Sequence, residues 1–475
     1  MNNKNESITR QEDDFAQWYT DVCLKAELMD YSSVKGFIIY RPYGYALWEN
    51  IQHYMDKKFK DVGVENVYLP MVIPTSLFQK EKDHVVGFAP ETLIATQGGK
   101  NELEDPLIIR PTSETLFCEH YAKIIESYRD LPKRYNQWCS VVRWEKTTRP
   151  FLRGSEFLWQ EGHTMYETEE EARKDALRML EIYDAVGRDL LAIPFVKGIK
   201  TDKEKFAGAV ETYSIEALMP DGKALQSGTT HYFGDGFAKA FGISFLGRNN
   251  KLETPHQTSW GVSTRLLGAI IMVHGDDNGL VLPPYVAPTQ VVIIPIQQKN
   301  PEVLKKAREY YEKLKAAGIR VKLDDSDKSP GWKYSEYEMK GVPLRLEVGP
   351  RDIANGVCVI AKRNDSSKMT VKEEDVLKEI PHLFEVIHDE MYKRAFRYLL
   401  DHTTEAHSIK ELGEILDRGG YAKVMWCGER ECEDKIKELY QATARCIPFE
   451  QNPFDDKCLV CGKKAKKVVF FARAY

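Results

Sequence analysis

The residues best suited to chemistry in this chain fall into four short segments before Leu282 and one cysteine cluster near the C-terminus. The first segment is Leu107–Glu114, Leu-Ile-Ile-Arg-Pro-Thr-Ser-Glu. Its apolar run reads as a strand ending at Arg110, and Pro111 then turns the chain so that Thr112 and Glu114 face a pocket mouth. Taken alone, the same stretch is equally a helix start capped by Thr112 or Ser113. The second segment is Val141–Glu145 with Arg143, followed by a basic loop and by Phe151–His163, which carries Arg153, Gly154, Phe157, Trp159, Glu161 and His163. A guanidinium binds a planar oxyanion bidentately, so inward-facing arginines suit carboxylates and phosphates. The plain alternative is a hairpin with a solvated loop. The third segment, Ala224–Gly234, holds Gln226, Thr229 and His231 around a glycine that lets backbone approach a ligand closely. A lone histidine is more often structural, so His231 counts only with its neighbours. The fourth, Ser259–Gly268, is a strand of small residues leading into a helix headed by Arg265, with Ser263 just before it. Its plain alternative is a buried strand-to-helix junction bearing a surface arginine.

Other nucleotide chemistries are excluded by what surrounds the glycines. The Gly-Lys pairs at Gly99, Gly222 and Gly462 are followed by Asn, Ala and Lys, so there is no phosphate-cradling P-loop. No Gly-x-Gly-x-x-Gly opens a helix after a strand, which removes a dinucleotide site. An enzyme handling ATP with this sequence must clamp phosphates with arginines and metal ions. The formal net charge of −5 does not mark a bulk nucleic-acid binder. RNA contact would use local patches, Lys133, Arg134, Arg143, Lys146, Arg149 and Arg153 or the lysine-rich tail around Lys457–Lys467, although such runs are by default solvated faces. Of nine cysteines, Cys23, Cys118, Cys139, Cys358 and Cys446 are isolated and are expected to be plain reduced thiols. Cys427, Cys432, Cys458 and Cys461 form two short-spaced pairs that suit a tetrahedral Zn²⁺, structural because four protein ligands leave no open position. Four unliganded thiols are the alternative. The polar start offers no signal peptide, and the apolar runs at Leu266–Val273 and Val291–Ile296 are too short to span a bilayer, so a cytoplasmic protein without a membrane is expected.

Hydrophobic periodicity supplies the elements that must hold these residues. A capping-box pattern at Thr9–Glu12 predicts a helix bearing Phe15, Trp18, Tyr19 and Val22. A strand at Gly36–Tyr40, a helix through Leu47, Ile51, Tyr54 and Met55, and a strand at Val64–Pro70 follow. Further strands are expected near Gln137–Trp144, Phe157–Tyr166, Glu211–Met219 and Lys223–Thr230. Successive strands with few helices between them favour an antiparallel sheet over a doubly wound one. Leu282–Pro288 reads as a linker, after which β-α-β alternation through Val291–Ile296, Pro301–Ala317 and Ile319–Leu323 predicts a separate α/β unit with more strands at Leu344–Val348 and Val357–Ala361. From Val371 the chain reads as helical and charged until the cysteines and a last strand, Val468–Ala472.

In that order, the four segments resemble the signature motifs of class II aminoacyl-tRNA synthetases, and the chain over essentially its whole length is similar to the prolyl-tRNA synthetase family of the archaeal/eukaryotic-like type, including a terminal Ala474-Tyr475. The resemblance implies an α+β catalytic domain over 1–286 with an antiparallel sheet flanked by helices, an α/β anticodon-binding domain over 287–390 and a small α/β zinc-binding domain over 391–475. It implies formation of prolyl-adenylate from L-proline and ATP with Mg²⁺, then transfer to the 3′ end of tRNA(Pro). Arg143 and Arg265 would be catalytic. Thr112, Glu114, Arg143, Trp159, Glu161, His163 and His231 would hold proline, with Phe157 and Phe206 helping to form its slot. Arg143, Arg153, Gly154, Gln226, Thr229, Ser263 and Arg265 would hold ATP. Val64–Pro70 would lie at a homodimer interface. Glu338 and Arg345, with a basic partner among Lys362, Arg363 and Lys368, would read anticodon bases. The chain between His163 and Gln226 is too short for the editing domain of many bacterial relatives, so hydrolysis of alanyl-tRNA in cis is not expected. A class II enzyme for serine or threonine, or a catalytically silent relative that binds tRNA as a regulator, stays open on residues alone. A secondary ammonium needs two acceptors beside an apolar slot, which Thr112, Glu114 and the aromatic residues offer, and both ATP arginines are present.

Overall fold

The computed structural model describes residues 8–84 and 91–475. Six strands form the frame for the four segments: β1 (Lys133–Val142), β2 (Glu156–Tyr166), β3 (Val196–Ile199), β4 (Glu211–Leu218), β5 (Ala224–Gly234) and β6 (His256–Ser263). They lie side by side in the order β3-β4-β5-β6-β2-β1, and each neighbouring pair is antiparallel. This is the antiparallel sheet that the run of strands predicts.

Alternation along β2 divides its side chains between two environments. Gln160 and Gly162 face the apolar side, where Gln160 donates to the Trp260 carbonyl at 3.2 Å and accepts from the Tyr183 hydroxyl at 2.9 Å. The Trp260 ring rests on Phe59 with centroids 4.8 Å apart, inside a core that also holds Trp18, Ile51, Met179 and Ile270. That core is built by α1 (Phe15–Lys25), α2 (Pro42–Asp61), α3 (Glu169–Ala185) and α4 (Arg265–His274). Trp159, Glu161 and His163 therefore face the other side of the sheet.

Local expectations fail where a tertiary partner competes. The pattern Thr9–Glu12 does not cap α1: Asp14 does, accepting from the Gln17 N–H at 3.0 Å, while the Thr9 backbone N–H and hydroxyl both donate to Asp21 at 2.8 Å. Val64–Pro70 is a strand only at Glu65–Asn66, parallel to β1. At Leu69 the backbone is taken by side chains, its N–H donating to Gln137 Oε1 at 3.0 Å and its carbonyl accepting from Arg110 at 2.7 Å. Val371 lies in a strand, and the long helix of this region starts at Val376 and runs to Asp401.

A second sheet follows Leu282–Pro288. Its strands are β7 (Val291–Pro295), β8 (Val321–Leu323), β9 (Leu344–Val348), β10 (Val357–Lys362) and β11 (Lys368–Lys372), in the order β8-β7-β9-β10-β11. The first three are parallel and the last two add antiparallel. After the long helix, β12 (Thr403–Glu405), β13 (Tyr421–Trp426), β14 (Thr443–Pro448) and β15 (Lys467–Ala472) pair in the order β12-β13-β15-β14. They do not form a separate sheet. β14 continues antiparallel onto β3 through Ile447↔Ile199 and Pro448↔Gly198, giving one sheet of eleven strands. Gly198 permits the junction, because a Cβ there would meet the Ile447 carbonyl oxygen at 2.3 Å. Among the described residues no helix is long and apolar enough to cross a membrane.

Gly162 has an equally strict place, since a Cβ would lie 2.2 Å from the Trp260 ring. Gly162→Ala should destabilise the fold by about 1–3 kcal/mol through overpacking, seen as a lower thermal unfolding midpoint. Trp260→Leu in the same chain should recover part of that loss, and an unshifted midpoint in the single variant would contradict the packing.

Candidate active site

The side of the central sheet away from Trp260 carries a cavity of about 240 Å³. Cross-strand register explains its lining. Glu161 on β2 pairs with Gly261 on β6, which pairs with Thr229 on β5. One step along, His163 pairs with Ser259, Ser259 with His231, and His231 with Thr212 on β4. Residues directly opposite share a face, so two rows of polar groups run across the cavity floor. Strict alternation would turn Gln226 away from the face that Thr229 and His231 share. An irregularity at Ser227, where Gly228 pairs with Ile215 and Gln226 with Glu216, shifts the pattern by one residue and brings Gln226 to the same cavity.

Glu161 is the anchor of the floor. It is buried and accepts from the Ser113 hydroxyl at 2.5 Å, the Ser113 N–H at 3.2 Å and Gln137 Nε2 at 2.7 Å, with His163 Nε2 at 3.0 Å. Burial alone would raise its pKa; the bonds from His163, Ser113 and Gln137 outweigh burial and hold it below the ordinary carboxylate value. The His163 ring stacks on Phe117 at 4.2 Å. Ser113 is the N-terminal flanking residue of the helix Glu114–Ile124, yet its side chain makes no capping bond there. The Thr112 hydroxyl donates to Glu114, which leaves the Thr112 lone pairs and the Glu114 carboxylate as acceptors facing the cavity.

Three arginines stand near these acceptors. Arg143 Nε donates to the Pro111 carbonyl at 3.0 Å, and its guanidinium lies 5.4 and 5.3 Å from the Phe157 and Trp159 ring centres. Burial lowers its pKa, while the carboxylates of Glu114, Glu161 and Glu145 raise it. Arg265 donates to the carbonyls of Leu152 at 3.2 Å and Gln226 at 3.0 Å. Its pKa is pulled down to about 10, first by burial and then by the like charges of Arg153 and Arg143. Both arginines are therefore anchored on neutral carbonyls, and they remain charged at neutral pH. Arg153 pairs with Glu145 at 3.5 Å and, with Gly154, lines a smaller neighbouring recess beside Gly36 and Thr148 rather than the main cavity. His231 bonds the hydroxyls of Thr212 at 2.9 Å and Thr229 at 3.1 Å, with the Phe206 ring 4.7 Å away.

The cavity thus brings together Thr112, Glu114, Arg143, Trp159, Glu161, His163, Gln226, Thr229, His231, Ser263 and Arg265 from all four segments. Its lining combines carboxylate and hydroxyl acceptors, aromatic side chains and two guanidinium groups. The tRNA synthetase class II core domain (G, H, P, S and T) matches residues 96–274, the anticodon binding domain residues 290–383, and the prolyl-tRNA synthetase C-terminal domain residues 409–475. Proline–tRNA ligase of Clostridium botulinum (strain 657 / Type Ba4) is 59% identical over 471 residues, 99% of this chain and 98% of that one. The proline–tRNA ligase of Lachnoclostridium phytofermentans is 60% identical over the same shares. The crystal structure of prolyl-tRNA synthetase from Cryptosporidium parvum complexed with halofuginone and AMPPNP is similar with a TM-score of 0.95 at 40% identity, covering 100% of this chain and 99% of that one. The chain belongs to the prolyl-tRNA synthetase family.

Along the chain the core is followed by the anticodon-binding domain and the C-terminal domain. In the anticodon-binding domain of this synthetase, the Arg345 guanidinium lies 3.9 Å from the Tyr334 ring centre and donates to Glu347 at 2.8 Å, with Lys368 3.1 Å from the same carboxylate. Glu338 lies on the neighbouring helix Pro330–Met339. Two of the basic residues suggested as base readers are engaged elsewhere. Arg363 makes two bonds to Asp276 at 2.7 and 2.8 Å, tying this domain to the core, and Lys362 pairs with Asp365 and Glu390. In the C-terminal domain the four sulfurs of Cys427, Cys432, Cys458 and Cys461 lie within 4.8 Å of one another, Cys427 being 3.6 Å from Cys432 and 3.7 Å from Cys461. Four thiolates each about 2.3 Å from one tetrahedral ion would be about 3.8 Å apart, so the spacing fits a closed metal site.

Ser113, Gln137, Glu204, Thr212 and Ser259 belong to the site and were not singled out in the sequence. Thr212 and Ser259 carry a recoverable signal, being the register partners of His231 and His163. Ser113 and Gln137 carry none, since their part is to satisfy Glu161.

His231 gives the site a pH signature. Burial, with nearby His163, drops its pKa from 6.5 to about 3. The unfolded chain therefore takes up a proton that the native chain refuses, and stability present above pH 6.5 is lost as pH falls, by about 1.4 kcal/mol per unit for this one group. The unfolding midpoint should fall between pH 6.5 and 5, and less steeply in His231→Gln, where buried His274 still contributes in the same direction. Identical slopes in the two proteins would refute a neutral, buried His231.

Proposed function

We propose that the chain attaches L-proline to tRNA(Pro) in the cytoplasm in two steps. The observation that carries this reading is the gathering in one cavity of the acceptors Glu114 and Thr112, the aromatic rings of Phe157 and Trp159, and the Arg143 guanidinium over those rings. A secondary ammonium presents two N–H donors, and Glu114 and Thr112 are acceptors for them. The proline ring lies against the aromatic side chains of Trp159, Phe157 and Phe206, with Glu161, His163 and His231 as the floor. Arg143 takes the carboxylate and, on its other edge, the α-phosphate of ATP. Arg265 lies against the γ-phosphate, with Gln226, Thr229 and Ser263 beside the nucleotide and Arg153 and Gly154 at its rim.

An oxygen of the proline carboxylate attacks the α-phosphorus in line, and pyrophosphate leaves with the electrons of the broken P–O bond. The carboxylate is already ionised at neutral pH, so this step needs no protein base. Positioning and charge stabilisation carry it, with Arg143 and Arg265 held in place before ATP arrives. Mg²⁺ enters with ATP and neutralises charge on its phosphates. A ribose hydroxyl at the 3′ end of tRNA then takes the prolyl group, and AMP leaves.

Three units divide the work: 1–286 for aminoacylation, 287–390 for the anticodon and 391–475 for the metal. Arg345, stacked on Tyr334 beside Lys368, and Glu338 are the residues we assign to anticodon bases, because a planar cation on a ring suits stacking and edge recognition. A homodimer forms through the segment after Val64, where Tyr68 is 70% and Met71 50% exposed. The four cysteines hold a structural Zn²⁺.

Purified protein should catalyse ATP–pyrophosphate exchange with proline and not with serine or threonine. Glu114→Ala removes a charged acceptor worth about 1.5–3 kcal/mol, so proline activation should fall about 10- to 100-fold while ATP binding is kept. Equal loss of both would mean that Glu114 does not hold the ammonium. For the metal, one zinc per chain should survive dialysis without chelator, and Cys432→Ser should lose it together with part of the thermal stability; a wild-type protein without metal would end that assignment.

A further inference from the structure

One wall of the proline pocket is held from outside the catalytic core. The segment 200–206 leaves strand β3 without regular structure and delivers Glu204 and Phe206 to the cavity. Phe206 packs on His231, and its N–H donates to the Thr212 hydroxyl at 3.0 Å. The turn before it is organised by Thr201, whose carbonyl accepts from the N–H groups of Glu204 at 3.1 Å and Lys205 at 2.9 Å. Thr201 is itself anchored on the C-terminal domain: its hydroxyl donates to Glu433 Oε1 at 2.9 Å, and these residues are only 2% and 1% exposed. Its neighbours are tied to the same domain. Lys200 Nζ donates to the Arg445 carbonyl at 2.5 Å, and Lys203 pairs with Asp434 at 2.7 Å.

We propose that Glu433, on the helix Arg430–Tyr440 of the C-terminal domain, is a positioning residue for proline: through Thr201 it sets the turn that places Phe206 against the proline ring. Glu433 does not line the cavity and touches no reacting atom. Its buried carboxylate oxygen and the buried Thr201 hydroxyl satisfy each other, so removing either leaves the other without its partner and loosens the turn. A released turn presents the Phe206 wall only part of the time, and apparent affinity falls by that fraction. The nucleotide end of the cavity, built on Arg143, Arg265 and Gln226, has no link to this loop through Thr201. The effect therefore belongs to proline and not to ATP.

The inference rests on the proline-activating reading, and the test separates the two. Full-length wild type, Thr201→Val, Glu433→Leu and Glu433→Gln are compared in proline-dependent ATP–pyrophosphate exchange, with KM determined for proline and for ATP. Thr201→Val and Glu433→Leu should each raise the proline KM about tenfold and leave the ATP KM at its wild-type value. Glu433→Gln keeps an acceptor in the same place and should restore the proline KM. Thr201→Val keeps the side-chain shape, so it decides the matter alone if Glu433→Leu fails to fold. Parallel rises in both KM values, an unchanged proline KM in Thr201→Val, or a Glu433→Gln protein as impaired as Glu433→Leu would overturn the role of Glu433. Absence of exchange in the wild type would overturn the functional reading instead.

Discussion

The site depends on a single buried carboxylate. Removing an ionised Glu161 from water costs several kcal/mol unless its lone pairs are filled, and Ser113, Gln137 and His163 fill them. Those partners come from three elements: the turn after Arg110, strand β1, and β2 itself. Satisfying one charge therefore fixes the turn to the sheet, and with it Thr112 and Glu114, the next residues on either side of Ser113. The helix Glu114–Ile124 bears part of the cost, because a serine placed to cap it spends its hydroxyl on Glu161. A side-chain cap is worth about 1 kcal/mol, less than a charged bond inside the protein, and the larger interaction prevails.

Beside these acceptors the same cavity holds two guanidinium groups. Arg143 and Arg265 spend Nε on carbonyl oxygens, which orients each guanidinium without neutralising it. Burial first, and then the like charges of Arg153 and Arg143, pull the pKa of Arg265 down. Like charges held close in a partly dry cavity are unfavourable until an anion arrives, and a polyphosphate is an anion of that kind. Preorganised charge of this kind stabilises what develops in a reaction without having to reorganise for it.

Much of this was legible because strands announce their faces. Trp159, Glu161 and His163 recur at every second residue, and the cysteine pairs declare themselves by spacing alone. Gln226 was named from a resemblance of motifs; periodicity would have turned it away, since the irregularity at Ser227 depends on the register with Ile215 and Glu216 rather than on anything local. The failures share a cause. At Thr9 and at Val64–Pro70, residues with a sound local role are claimed by partners outside the segment: Asp21, and Gln137 with Arg110. Composition and periodicity carry no information about such partners.

The same limit hid how the C-terminal domain is attached. Strand β3 would otherwise be an open edge, a row of unpaired backbone groups beside the active-site loop. β14 covers it and brings Arg445 with it. Glu216, fully buried on β4, then has two cations, Lys200 at 2.5 Å and Arg445 at 3.0 Å. Burial would raise its pKa, and the two cations more than reverse that. A buried carboxylate with one cation lost is destabilising by about 3–5 kcal/mol, so the core is not complete without β14. Glu216 is also the register partner of Gln226 and lies near enough to Arg265 to raise its pKa. The domain that bears the cysteines is thus electrostatically part of the catalytic sheet, and this is why a contact made by it can reach the pocket wall.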